Sequence, residues 1–172
     1  MTQSSRTSRA PAKGAAPLSA SVENYLKTIY SLGGARGAAA TNDIADRLNL
    51  TPASVTGMVR RLADHGLLAY ERYRGVRLTQ AGRIAALRTV RRHRVIEAYL
   101  SKALGYKWDT VHAEAERLEH AASDELVDRM AAAIGEPGED PHGAPIPSRH
   151  ESSIGHALAS QVLVSRNPDE DD

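Results

Sequence analysis

The chain contains no cysteine. Neither a disulfide nor a thiolate metal site is available to it. No apolar run approaches the length that a membrane-spanning helix requires. The N-terminus carries basic residues with no apolar stretch behind them, which argues against a secretory signal. These absences point to a soluble, cytoplasmic protein with no membrane partner. Net charge is nearly lacking too, with 22 Lys+Arg against 21 Asp+Glu in 172 residues, a length that suits one compact domain or two small ones.

The overall balance conceals a segregation. Between Arg60 and Arg94 there are ten arginines against two acids, Asp64 and Glu71; between Asp109 and Asp140 there are ten acids against two arginines, Arg117 and Arg129. A basic half beside an acidic half suggests one face for a polyanion and another for a cation.

The pattern along the chain is mainly helical. Residues 1–17 are rich in Ser, Thr, Ala and Pro and read as a disordered arm. Apolar residues at helical spacing place a first helix over Ser19–Leu32, closed by glycines. A short second helix covers Thr41–Leu48. Thr51 then caps a third, with Pro52 at its first position and Val55, Val59 and Leu62 facing inward. Two short helices joined by a tight turn form a helix-turn-helix. Two brief strands around Arg72–Gly75 make a hairpin that reads as a wing. A long fourth helix runs from Gln80 to about Leu104, a fifth from Asp109 to about Ala122, and a sixth from Ser123 to Ile134. The fold class expected is therefore an N-terminal winged helix-turn-helix (18–80) followed by an all-helical domain (81–136). A Pro/Gly-rich, extended linker and acidic tail (137–172) complete the chain.

In a helix-turn-helix the start of the second helix faces base edges. Here those residues are Thr51, Ala53, Ser54, Thr56 and Gly57. All are small, and none can make the bidentate contact that Arg or Asn makes to a base. Specificity then rests partly on DNA shape. Arg60, Arg61, Arg74 and Arg77 suit phosphate. The plainer reading is that these arginines only solubilise a small domain; helix pair, wing and local charge together favour double-stranded DNA.

On the fifth helix, His112, Glu116, Glu119, His120 and Ser123 share one stripe. Two carboxylates and two imidazoles within about two turns repel unless something positive joins them. A divalent cation resolves this, and so does simple solvation of an acidic face; spacing alone leaves both open.

The stretches SVENYLKTIYSL, TPASVTGMVRRLADHGLL, LTQAGR, VRRHRVIEAYL, LGYKWDTVHAEAERLEHAASDEL and DPHGAPIP, in this order, resemble the diphtheria toxin repressor family on its manganese-regulator branch. The resemblance spans residues 19–148. It implies a metal-binding and dimerisation function for the helical domain, and a metal-dependent homodimeric repressor of metal-homeostasis genes that binds a palindromic operator and is not an enzyme. It implies Mn2+ or Fe2+ as cofactor, with Co2+, Zn2+ and Cd2+ able to bind in vitro. By position, the primary metal site it implies is Asn24, Glu116, Glu119 and His120. The second is His93, Glu97 and His112, with Asp140 and His142 as weaker candidates. Plainer readings are a phosphate contact for His93, helix ion pairs for His112 and His120, and ordinary linker residues for Asp140 and His142.

The chain departs from the family pattern in four ways. Glu116 replaces the cysteine of iron-responsive relatives, which points toward harder metals. Neutral Asn24 replaces an aspartate or methionine. Lys27 stands where some manganese regulators have a glutamate, against a paired-metal core. The stretch after Ser148 is too short for the SH3-like domain of longer relatives. Two rivals differ in class: a winged-helix regulator that senses an organic ligand, and a metal-dependent hydrolase using His93, His112 and Glu119. Leu118, Leu126 and Met130 are the expected dimer surface.

Overall fold

The computed structural model describes residues 18–33, 37–71 and 75–153. The elements run α1 (Ala20–Gly33), α2 (Thr41–Leu48), α3 (Pro52–Asp64), β1 (Leu68–Glu71), β2 (Gly75–Leu78), α4 (Gln80–Leu104), α5 (Trp108–Leu118), α6 (Asp124–Ala133) and α7 (Arg149–Ser153). Among the described residues, no helix is long and apolar enough to cross a membrane.

The turn between α2 and α3 follows from its residues. Asn49 ends α2 in the left-handed conformation at φ 54°, which asparagine tolerates better than most non-glycine residues. Thr51 then accepts the Ser54 amide through its side chain, and Pro52 starts α3 with φ already set. β1 and β2 pair antiparallel, from Leu68↔Leu78 to Glu71↔Gly75. Ala39 bridges to Val76, so the segment before α2 is laced to the wing.

Two cores share one spine. The first joins Leu26 and Ile29 of α1, Ile44 of α2, Val55 and Val59 of α3, and Leu67 and Val76 with Ala81, Ala85 and Ala86 at the start of α4. The second joins Val95, Ile96 and Leu100 at the other end of α4 with Val111, Ala115, Val127 and Ala131. The 25 residues of α4 thus span roughly 37 Å and couple the winged helix to the helical domain. Gly82 fixes how α4 leaves the wing: a Cβ there would fall 1.9 Å from the Leu67 carbonyl oxygen. Gly82→Ala is expected to force these backbones apart and cost about 1–3 kcal/mol, read as a lower midpoint in urea.

Three features differ from the sequence expectation. α5 ends at Leu118, with Glu119 as its cap, and Ser123 caps α6 by accepting the Leu126 amide. Over residues 138–153 the chain is not an extended linker. Glu139 bridges to Pro145, Arg91 and Arg94 donate to the carbonyls of Pro147 and Pro145, and Arg149 of the short α7 pairs with Asp128 at 3.0 Å. Finally, the basic and acidic halves meet each other in part. Arg88 and Arg92 hold Asp124, Arg91 holds Asp128, and Arg94 faces Asp140 at 3.6 Å. Four of the ten arginines counted in sequence are therefore structural.

Candidate metal centre

α1, α4 and α5 meet in a cleft lined by Asn24, Lys27, His93, Glu97, His112 and Glu116. Its polar side chains form two adjoining clusters.

The first cluster is the second-site set. His93 and Glu97 sit one turn apart on α4, and His112 comes across from α5. Their donor atoms all lie within 4.8 Å of one another. His93 Nε2 is 3.0 Å from Glu97 Oε1 and 3.0 Å from His112 Nδ1, and His112 Nδ1 is 2.9 Å from Glu97 Oε1. This triangle matches one face of an octahedron with bonds of roughly 2.1 Å, whose edge is about 3.0 Å. Two imidazole nitrogens facing each other across one carboxylate oxygen fit a shared cation better than two protons. Burial opposes the charged form of Glu97, but His93 and His112 more than offset it and hold the carboxyl below its usual range. Burial likewise opposes the His93 imidazolium. Hydrogen bonds to Glu119 and Glu97 outweigh that, and the ring titrates at about 9. A cation taken up by these donors would have to displace that proton.

His142 approaches the trio, with Nε2 3.7 Å from Glu97 Oε1. Asp140 does not. Its Oδ1 accepts the amides of His142 and Ala144, and Oδ2 faces Arg94. Asp140 shapes the turn that presents His142.

The second cluster is the primary set. Glu119 is wholly buried. Its Oε2 accepts from His93 Nδ1 at 2.6 Å and its Oε1 from Lys27 Nζ at 2.7 Å. Burial opposes its charge too, but these two partners more than offset it, so the carboxyl is held low. His120 turns Nε2 toward Asn24 Oδ1 at 3.0 Å and Glu119 Oε1 at 3.3 Å. One nitrogen and two oxygens thus converge across the seam between α1 and the end of α5. The donor set, oxygen-rich and without sulfur, fits a hard divalent cation. Glu116 stands apart: its side chain is 54% exposed, with Oε1 3.7 Å from Lys27 Nζ and 3.5 Å from His112 Nε2. It lies between the two clusters.

Two residues of this cluster went unassigned in the sequence. Glu23 accepts from His120 Nδ1 at 2.7 Å and from Arg92 at 2.9 Å. It thereby fixes the imidazole ring and leaves Nε2 as the donor atom. Lys27, noted above only as a departure, supplies the positive charge between Glu119 and Glu116. The available signal was spacing: Glu23, Asn24 and Lys27 stand at i, i+1 and i+4 on a helix whose remaining face is apolar.

In the winged helix, Thr51, Ala53, Ser54, Gly57, Arg60, Arg61 and Arg77 are exposed. The Thr51 hydroxyl is 2.9 Å from that of Ser54, and Thr56 donates to the Pro52 carbonyl. These hydroxyls serve the helix itself. Arg74 lies outside the described residues.

Residues 17–76 match the family described as iron dependent repressor, N-terminal DNA binding domain, and residues 79–148 match iron dependent repressor, metal binding and dimerisation domain. The chain is 36% identical over 133 residues to the iron-dependent repressor IdeR of Mycobacterium bovis, covering 77% of this chain and 58% of that protein. It is 36% identical over 121 residues to the HTH-type transcriptional regulator MntR of Lysinibacillus sphaericus, covering 70% and 86%. A solved manganese-dependent transcriptional repressor in complex with manganese superposes with a TM-score of 0.70 at 42% identity, covering 75% of this chain and 59% of that one.

Proposed function

This chain belongs to the iron-dependent repressor family, and we propose that it is a divalent-metal-dependent, DNA-binding transcriptional repressor of metal-homeostasis genes. The observation that carries this reading is the convergence of Asn24 from α1 with Glu119 and His120 from the end of α5. A metal-responsive group placed there ties the winged helix to the helical domain.

When bound, Mn2+ or Fe2+ supplies positive charge that the clustered oxygens and imidazoles share; Co2+, Zn2+ and Cd2+ are able to take the same donors in vitro. The residues do the rest. Asn24 lies in the helix that also carries Leu26 and Ile29 of the first core, so holding Asn24 against His120 holds the winged helix against α5. Glu23 orients His120 and, through Arg92 and Asp124, continues the connection to α6. The trio of His93, Glu97 and His112 braces α4 against α5. Contacts that are stronger in the DNA-competent arrangement shift the population toward it.

The partner at the other end is double-stranded DNA. The small residues at the start of α3 allow close approach to the major groove, and Arg60, Arg61 and Arg77 face phosphate. A homodimer places two such helices on a palindromic operator. Leu104, Tyr106, Trp108, Leu118 and Leu126 are exposed apolar residues of the helical half suited to cover one another; Met130 is partly buried against the second core. Beside Tyr30, Leu48 and Val90, the cleft presents converging imidazoles and carboxylates, which suit an ion better than an organic effector. The relatives are named as repressors and regulators, which argues against the hydrolase alternative.

The test is binding of the purified protein to promoter DNA without metal and with saturating Mn2+, Fe2+, Co2+ or Zn2+. Tight binding only with metal is expected, and metal-independent binding rejects the reading. In the same assay Arg60→Ala should weaken binding to all sequences and reduce the salt slope by about one.

A further inference from the structure

We propose that the Lys27 ammonium is a built-in competitor for the primary carboxylates and sets the metal concentration at which they load. This inference rests on the primary set being a metal site.

The geometry is specific. Lys27 Nζ lies 2.7 Å from Glu119 Oε1 and 3.7 Å from Glu116 Oε1. The same Oε1 of Glu119 is the atom that faces His120 Nε2, which in turn faces Asn24 Oδ1. Lys27 therefore holds the very oxygen that the converging donors share. The other Glu119 oxygen is engaged by His93, so the carboxylate has no spare atom to offer. Two cations on one oxygen repel at short range, and more strongly in a buried setting than in water.

Lys27 is suited to yield. Its flexible stem ends in a point charge, and its side chain is 19% exposed at the edge of the cleft. In the metal-free protein it neutralises a fully buried carboxylate. On loading, Glu119 and Glu116 exchange the ammonium for the divalent ion, and the ammonium turns to water. A fixed internal cation thus raises the loading threshold and stabilises the metal-free form.

This role differs from that of an ordinary structural lysine. Removing a structural lysine lowers stability and leaves metal affinity equal or weaker. Removing a competitor lowers the stability of the metal-free protein and tightens metal binding.

The experiment measures Mn2+ affinity by chelator competition in a His112→Ala background, which weakens the neighbouring trio without touching Glu119. Thermal midpoints are recorded for the metal-free proteins. Lys27→Met is expected to bind Mn2+ at least about tenfold more tightly and to melt lower without metal, while charge-retaining Lys27→Arg stays near the parent in affinity. Lys27→Gln repeats the comparison with a polar neutral side chain should the Met variant not fold. Equal or weaker Mn2+ affinity in the neutral variants overturns the proposal and leaves the metal site standing. Absence of Mn2+ binding in parent and variants alike overturns the metal site and the proposal with it.

Discussion

Replacing Glu119 by glutamine is expected to abolish metal-activated DNA binding, with apparent metal affinity falling at least about 100-fold. The basis is its double position. One oxygen faces the His93 end of the trio and the other faces His120 and Lys27. His93, its partner across the divide, is the other side chain that touches both clusters. Loss of an outer partner of a metal ligand alone typically weakens affinity 10–100-fold, and Glu119 is such a partner to His93 as well as a donor itself. The glutamine also leaves Lys27 and the His93 imidazolium without their shared counter-charge. Removing one member of a fully buried ion pair costs on the order of 3–5 kcal/mol; Lys27 reaches water at the cleft edge, so the loss falls below that range. Equilibrium dialysis with Mn2+, fluorescence anisotropy on promoter DNA and circular dichroism of the metal-free protein separate these effects. A folded Glu119→Gln protein that still needs Mn2+ for DNA binding, at parental concentrations, would exclude the primary set as the sensor.

The fold was legible in the sequence where local signals agree. Thr51–Pro52, Thr79 and Gly105 mark the helix ends at which the structure places them, because caps act within a few residues of chain. Charge was legible only in part. Ten arginines between Arg60 and Arg94 suggested a polyanion face, yet Arg88, Arg91, Arg92 and Arg94 reach acids 32 or more residues away. A count along the chain carries no information about such partners. The 137–148 stretch read as a linker because Pro and Gly dominate it; the Asp140 side-chain turn and two arginine–carbonyl bonds fold it onto α4. The candidate site was readable as a stripe on the fifth helix, but its depth was not. Spacing gives Glu116 and Glu119 equal weight, whereas the fold buries Glu119 and leaves Glu116 at the rim. Glu23 carries no ligand spacing of its own, because its role is to aim His120.

The choice of metal should move most with Glu116 and Asn24. The proposed primary donors are three oxygens and one nitrogen, with no sulfur. Raw affinity for such a set rises from Mn2+ toward Zn2+ across the divalent series, with Cu2+ as its peak. A preference for Mn2+ must therefore arise from geometry, since Mn2+ accepts more ligands while Zn2+ settles at four. Glu116 is the donor with freedom to decide this. It is half exposed, and it stands between Lys27 and His112 without locking onto either. Glu116→Cys replaces a hard oxygen with a soft thiolate and should shift the response toward Zn2+ and Cd2+, raising their affinity by at least about tenfold. Asn24→Asp adds a negative charge opposite His120 and should tighten Mn2+ binding by about tenfold, since ligand charge count tunes affinity at oxygen-rich sites. It should also lower the Mn2+ concentration needed for DNA binding, because Asn24 belongs to α1 and the added affinity is gained only when α1 lies against α5. The measurement is DNA affinity against free metal for the parent and both variants, with Mn2+ and Zn2+ in parallel. Equal activation of the parent by both metals, together with unchanged responses in Glu116→Cys and Asn24→Asp, would move the sensor away from this cluster and onto His93, Glu97 and His112.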